Sequence, residues 1–336
     1  MFDYHGRAFA AFVLAATFAI APGQPAAAAT ITPTDLPRPE GVRQYLLAVP
    51  DKSPAGKRPL VVLLHGHGGS AAQLLGQGRG AAPLSAWLAI ADREGLLVAA
   101  PDGVKGSDNR QGWNDCRADA QNNPTTDDVG LIAAIIDREV AAHDADPTRV
   151  FVMGMSNGGM MAFRLAIEIG PRLAGFAAVS ASMAARSGCP APRAAVSALI
   201  VSGVADPLVP YTGGDVRLRS TRSRGAVVPV EESAATWRAQ NRLPAEPAAV
   251  TPLAHRDSGD PTSATRTLWG GDPARPQVEL LRIDNGGHVE PSIAHRIGRI
   301  YATLVGPQNG DVESAEEAWA FFKDKRAGPA FQGPPQ

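Results

Sequence analysis

The sequence has no surplus of charge of either sign: 32 Lys plus Arg stand against 33 Asp plus Glu, for a formal net charge of −1. That balance excludes a protein built to hold nucleic acid, which needs a basic excess to meet phosphates. Cysteine is nearly absent, with two in 336 residues, and no close Cys/His spacing offers a structural zinc site. Past the first thirty residues no apolar run is long enough for a membrane helix. Aromatics are only 6%, and the abundant alanine reads as base composition and not as function. What remains is globular: 44% hydrophobic and 19% charged, with 35 Gly and 29 Pro that forecast many tight turns.

At the N-terminus, Ala8–Ala21 is apolar but short for a bilayer, Pro22-Gly23 breaks it, and Ala26–Ala29 offers small residues for cleavage. This is the shape of a secretory signal peptide over residues 1–29, although Asp3 offsets Arg7 in the basic region. The expectation is a secreted protein, extracellular or periplasmic, with no membrane contact after cleavage. In an oxidising compartment Cys116 and Cys189 read as a disulfide, which would stabilise the fold by about 4 kcal/mol, or else as two inert buried thiols.

The body alternates strand and helix. Gln44–Val49, Leu60–Leu64, Leu96–Ala100, Val150–Met153, Phe176–Val179, Leu199–Val201 and Val278–Ile283 read as strands. Helical spacing runs through Val129–Val140, Val230–Asn241 and the stretch after Ser314, where Ser314 and Glu317 suggest a capping box. Leu243–Arg275 lacks periodicity and reads as a long loop or small insertion. The expected organisation is an N-terminal extension over 30–41, one α/β domain over 42–325 with a mostly parallel, doubly wound sheet, and a loose Gly/Pro-rich tail over 326–336.

The candidate chemistry gathers at strand ends. Gly154-Met155-Ser156-Asn157-Gly158 lies between an apolar strand and a helical run, the setting of a nucleophile elbow. A serine needs a base, and His288 in the late Gly286-Gly287-His288 loop fits better than His255, in the irregular segment, or His295, in an expected helix. The base needs an acid, and Asp206, ending Leu199–Asp206, fits better than Asp284, which would sit on a strand. Chain order Ser, Asp, His is that of an α/β-hydrolase. For the oxyanion, the amides expected to donate are those of Asn157 and His67, with Gly68 as the alternative. No metal and no cofactor are called for. Gly66-x-Gly68-x-x-Ala71, with Asp102 beyond the next strand, also fits a relaxed dinucleotide fingerprint, but that leaves the serine, Asp206 and His288 without a role.

The loop His65–Gly69, Gly112-Trp113-Asn114, Asp127–Gly130, the elbow, Asp206-Pro207-Leu208-Val209-Pro210-Tyr211 with Gly213-Gly214, and the helix with Trp319 and Phe321-Phe322 occur in an order that resembles secreted polyhydroxybutyrate depolymerase/feruloyl esterase-like α/β-hydrolases, over roughly residues 42 to 323. The resemblance implies cofactor-free hydrolysis of small or oligomeric carboxylic esters through an acyl-enzyme. A monomer is expected. Trp113 and Tyr211 are candidates for substrate contact, Trp113 being equally placed to pack near Cys116. Where such enzymes often carry Trp-Pro after the histidine, Val289-Glu290-Pro291 stands here, which bears on substrate preference. A peptidase of the same fold and a catalytically silent binding homologue are the alternatives.

Overall fold

The run Leu60–Leu64 carries no polar residue because both of its faces are covered. Leu60, Val62 and Leu64 enter one core, and Val61 and Leu63 enter the other, as in a strand inside a parallel sheet. The computed structural model, which describes residues 1, 29–52, 54–217 and 223–328, sets this strand within a ten-stranded sheet. In chain order the strands are β1 (Thr30–Arg38), β2 (Gly41–Val49), β3 (Arg58–Leu64), β4 (Leu97–Pro101), β5 (Ala145–Met155), β6 (Gly175–Val179), β7 (Ser197–Gly203), β8 (Ala249–Pro252), β9 (Ser263–Trp269) and β10 (Val278–Asp284). They lie side by side as β1-β2-β4-β3-β5-β6-β7-β10-β9-β8. From β4 to β10 along this order every pairing is parallel, and antiparallel strands flank both sides.

The helices are α1 (Ala71–Leu74), α2 (Ala86–Glu94), α3 (Asp128–Ala142), α4 (Asn157–Glu168), α5 (Val230–Gln240), α6 (Arg299–Val305) and α7 (Ser314–Phe322). Apolar residues of α3, α4 and α5 join the core on one face of the sheet. Those of α2 and α7 join the other, where Phe151 stacks on Phe322 at 4.7 Å. This is the expected α/β-hydrolase fold, a mostly parallel doubly wound sheet.

Several expectations are corrected. Leu243–Arg275 is not a loop over the site, since it supplies β8 and β9, which extend the sheet beyond β10. Polar side chains hid them: Arg266 of β9 reaches Glu279 of β10 at 3.1 Å, and all of β8 is exposed. The N-terminal extension is the edge strand β1, paired with β2 from Thr30 to Arg38. Ser314 does not cap α7. The N-cap is Glu313, the Ser314 hydroxyl donates to Pro291 O, and Glu317 pairs with Arg266. His295 lies in an irregular segment, not a helix. The expected signal peptide, save for Met1 and Ala29, lies outside the described residues, as does the tail beyond Gly328.

Cys116 and Cys189 are bonded, with Cα atoms 5.2 Å apart and 73 positions between them. Replacing both by alanine is expected to lower unfolding free energy by about 4 kcal/mol, chiefly by freeing the unfolded chain. Urea unfolding of the variant against the oxidised protein measures this, and a change below about 1 kcal/mol would refute the chain-entropy account.

Candidate active site

Strand β5 turns into α4 at Ser156, whose φ of 55° and ψ of −121° lie where a residue with a Cβ is strained. The turn closes only because its flanks are bare. A Cβ on Gly154 would sit 2.2 Å from Gly158 O, and one on Gly158 would sit 2.2 Å from Leu64 O. The Ser156 amide donates to Val179 O at 2.8 Å, which ties the bend to β6. The side chain caps nothing in α4, so its hydroxyl is available for another partner.

That partner is His288. Its Nε2 lies 2.9 Å from Ser156 Oγ, and its Nδ1 lies 2.7 Å from Asp206 Oδ2. The other carboxylate oxygen of Asp206 accepts from the amides of Leu208 and Val209 at 2.8 and 2.9 Å. With Oδ1 held in this way, Oδ2 is aimed at the ring. Asp206 and His288 come from loops after β7 and β10, neighbours in the sheet, and the Ala205 amide joins the loops by donating to Gly286 O at 2.9 Å. His288 N–H donates to Val305 O at 2.6 Å. Asp284 does not compete, being paired with Arg282 at 2.8 Å on β10. His255 also sits elsewhere, against Asp311. An imidazole so placed can take the serine proton on Nε2 while the buried carboxylate at Nδ1 stabilises the imidazolium that forms.

The loop after β3 faces the same point. Gly68 N–H donates to Gln111 O at 2.7 Å and Gly69 N–H to Gly66 O at 2.9 Å. That commits the Gly68 amide, whereas the His67 amide has no acceptor among the described residues. His65 is buried, its Nε2 accepts from the Gly103 amide and its Nδ1 faces Gly66 O, and burial holds its pKa below the usual histidine value. The carboxylate of the dinucleotide fingerprint is engaged within the fold: Asp102 accepts from the Ala71 amide at the start of α1, at 2.8 Å.

Asn157, the residue after the serine, uses its side chain on the Gly112–Asp115 segment. Its Oδ1 accepts from the Trp113 amide at 2.7 Å, and its Nδ2 donates to Asp115 Oδ2 at 2.7 Å and Trp113 O at 3.2 Å. Trp113 is therefore not a cleft wall. It is fully buried and its indole donates to His65 O at 2.8 Å. Tyr211 is also buried, with its hydroxyl on Glu231 Oε1 at 3.2 Å, and it does not line the cleft. The Asp127–Gly130 motif acts at a distance from the chemistry. Asp127 caps α3, and buried Asp128 accepts from Arg43 and the Asn114 amide.

A cleft of about 570 Å³ opens over Ser156 and His288. Its apolar wall includes Leu74, Leu84, Leu208, Val289, Ile297 and Tyr301, and its charged groups are Arg79 and Glu290. Sequence reading singled out Glu290 only as a departure, and it did not find Arg79, which sits in a Gly-rich stretch without periodic signal. A family model described as esterase PHB depolymerase matches residues 43–235. This chain belongs to that family. The esterase carries Ser156 and Asp206 inside the matched segment and His288 beyond it. NocK of Nocardia uniformis subsp. tsuyamanensis, provisionally named an esterase, is 30% identical over 80% of this chain and 76% of its own length. Feruloyl esterase B of Neurospora crassa is 35% identical over 37% of this chain and 38% of its own. An acetyl xylan esterase from Aspergillus awamori superposes with a TM-score of 0.54 over 87% of this chain and 99% of its own, at 13% identity, a likeness of fold. The protein is accordingly a carboxylic-ester hydrolase. Among the described residues no helix is long and apolar enough to cross a membrane.

Proposed function

We propose that this esterase is a secreted serine hydrolase acting on short or oligomeric carboxylic esters, of the hydroxyalkanoate, feruloyl or acetyl type, through an acyl-enzyme. One observation carries the reading: Ser156 Oγ, His288 and Asp206 stand in line with contacts of 2.9 and 2.7 Å. His288 takes the proton as Ser156 attacks the carbonyl. Asp206 fixes the ring with its proton on Nδ1. The amides of Asn157 and His67 receive the oxyanion, and His288 returns the proton to the leaving alcohol before water releases the acid. The disulfide and the N-terminal segment support export. Stoichiometric labelling of Ser156 by a fluorophosphonate is the test of the nucleophile. Rates on a p-nitrophenyl ester, a feruloyl ester and a hydroxybutyrate oligomer rank the substrates. No labelling, or labelling elsewhere, would overturn the mechanism.

Glu290 gives the cleft a charge preference. Its half-buried carboxyl, short of water, is pushed above the ordinary carboxylate range, while His288 opposes the shift. A raised pKa keeps the group neutral to a higher pH than usual, so its repulsion of anions grows as pH rises through that range. Once Glu290 is ionised, Glu290→Gln is expected to raise kcat/KM about tenfold for a p-nitrophenyl hemisuccinate relative to the butyrate, the factor that about 1.4 kcal/mol of repulsion implies, and this gain should grow across a pH series from acid to alkaline. An unchanged ratio of the two rates would show that Glu290 does not select.

A further inference from the structure

A chain of polar contacts outside the triad links His67 and Asn157, the two residues whose amides are proposed to receive the oxyanion. The His67 side chain is only 7% exposed and is held by Arg224, with Asp108 beside it. Its Nδ1 accepts from Arg224 Nη2 at 3.0 Å, and its Nε2 lies 2.9 Å from Asp108 Oδ2. Arg224 Nη1 donates to that same carboxylate oxygen at 2.9 Å. A guanidinium has no acceptor, so the ring nitrogen facing Arg224 must be the unprotonated one, and Nε2 carries the ring proton, close to Asp108 but outside hydrogen-bond geometry. Burial and the charge of Arg224 push this histidine down to about 4, so the ring stays neutral at neutral pH.

The chain continues on the other side of Arg224. Its carbonyl accepts from Arg117 Nη1 at 2.7 Å. Arg117 in turn grips buried Asp115, Nη2 to Oδ2 at 2.6 Å and Nε to Oδ1 at 3.0 Å. Asp115 Oδ2 accepts from Asn157 Nδ2 at 2.7 Å. Residues from 67, 108, 115, 117, 157 and 224 thus form one network, with His67 at one end and Asn157 at the other.

We propose that Asp108 and Arg224, through this network, are positioning residues that fix the spacing of the His67 and Asn157 amides for the oxyanion. The reasoning is geometric. A loop built on Gly66, Gly68 and Gly69 has little backbone preference of its own, and its amide is useful only if held where the charge develops. The His67 ring is the one side chain among Gly66–Gly69 that can anchor that stretch, and Arg224 with Asp108 fixes the ring. Neither Asp108 nor Arg224 lines the cleft, so substrate binding does not depend on them directly. This inference rests on the proposed acyl-enzyme mechanism.

The test is Arg224→Met, with Arg224→Lys as the conservative partner and Asp108→Asn as a second, more exposed site. Active sites are counted by fluorophosphonate titration, so misfolded protein does not enter the rate. Per titrated site, Arg224→Met and Asp108→Asn are each expected to lower kcat roughly 10- to 100-fold, part of the 10²–10³ that losing a whole donor costs. KM should stay within about twofold, and affinity for an alkyl boronic acid, which becomes tetrahedral on the serine, should fall by the same factor as kcat/KM. Arg224→Lys, which keeps one charged donor, should recover part of the loss. If either variant keeps wild-type kcat per site, or loses KM and not kcat, the positioning role is wrong. A wild-type protein that neither titrates nor hydrolyses esters would instead sink the mechanism on which the inference depends.

Discussion

Ser156→Ala is expected to abolish measurable ester turnover, lowering kcat by about 10⁶, while leaving the fold intact. The residual rate, if any, would come from the oxyanion amides and binding alone. Alanine keeps a Cβ at a φ of 55°, so the strain at the elbow remains and stability should change by less than about 1 kcal/mol. Ser156→Gly makes a sharper comparison. Glycine adopts that backbone without penalty, and the variant should be equally inactive but more stable than the parent by about 1–3 kcal/mol. Hydrolysis of a p-nitrophenyl ester together with thermal unfolding measures both. Wild-type turnover in either variant would remove Ser156 from the mechanism. A glycine variant less stable than the parent would show that the bend is not strained.

Asp206→Asn is expected to lower kcat by about 10⁴, and the surroundings of Asp206 give the reason. Oδ1 accepts from two backbone amides, Leu208 and Val209. In the variant the amide oxygen must keep those donors, so the NH₂ turns toward His288 Nδ1. A donor there forces the ring proton onto Nε2, the nitrogen facing Ser156, which can then no longer accept the serine proton. Steady-state kinetics with the same ester measures the loss, with circular dichroism to confirm the fold. A loss of less than about tenfold would mean that another carboxylate orients the ring.

The parts of this protein that were legible in the sequence are those with a strong local cause. Leu60–Leu64 is apolar at every position because it is covered on both faces. The elbow announces itself because its two glycines have no tolerable substitute. Asp206 and His288, which the fold brings into contact with each other and with Ser156, were singled out from where their strands stop. The misreadings fall where the deciding partner is remote in sequence. β8 and β9 look irregular because Arg266 is neutralised by Glu279 and Glu317, which lie far along the chain. Ser314 and Glu317 have the spacing of a capping box, yet each is drawn to another partner, Pro291 O and Arg266. Trp113 and Tyr211 are aromatic and near motifs, but the indole donates to His65 O and the hydroxyl to Glu231, and neither ring lines the cleft. Nothing local to Arg224 foretells His67, because what joins them is the return of the chain across 157 positions.

The hold on His288 by Val305 has a consequence during synthesis. The backbone amides of Gly287 and His288 are secured by the carbonyls of Pro307 and Val305, about twenty residues downstream. On the proposed mechanism, a ribosome that has already delivered Ser156, its elbow and Asp206 has still not delivered a hydrolase, because the loop bearing His288 is fastened by a late part of the domain. On that mechanism a chain cut anywhere before residues 305–307 would carry an inert serine, and the cell making the enzyme is spared its chemistry until that segment has packed against the loop.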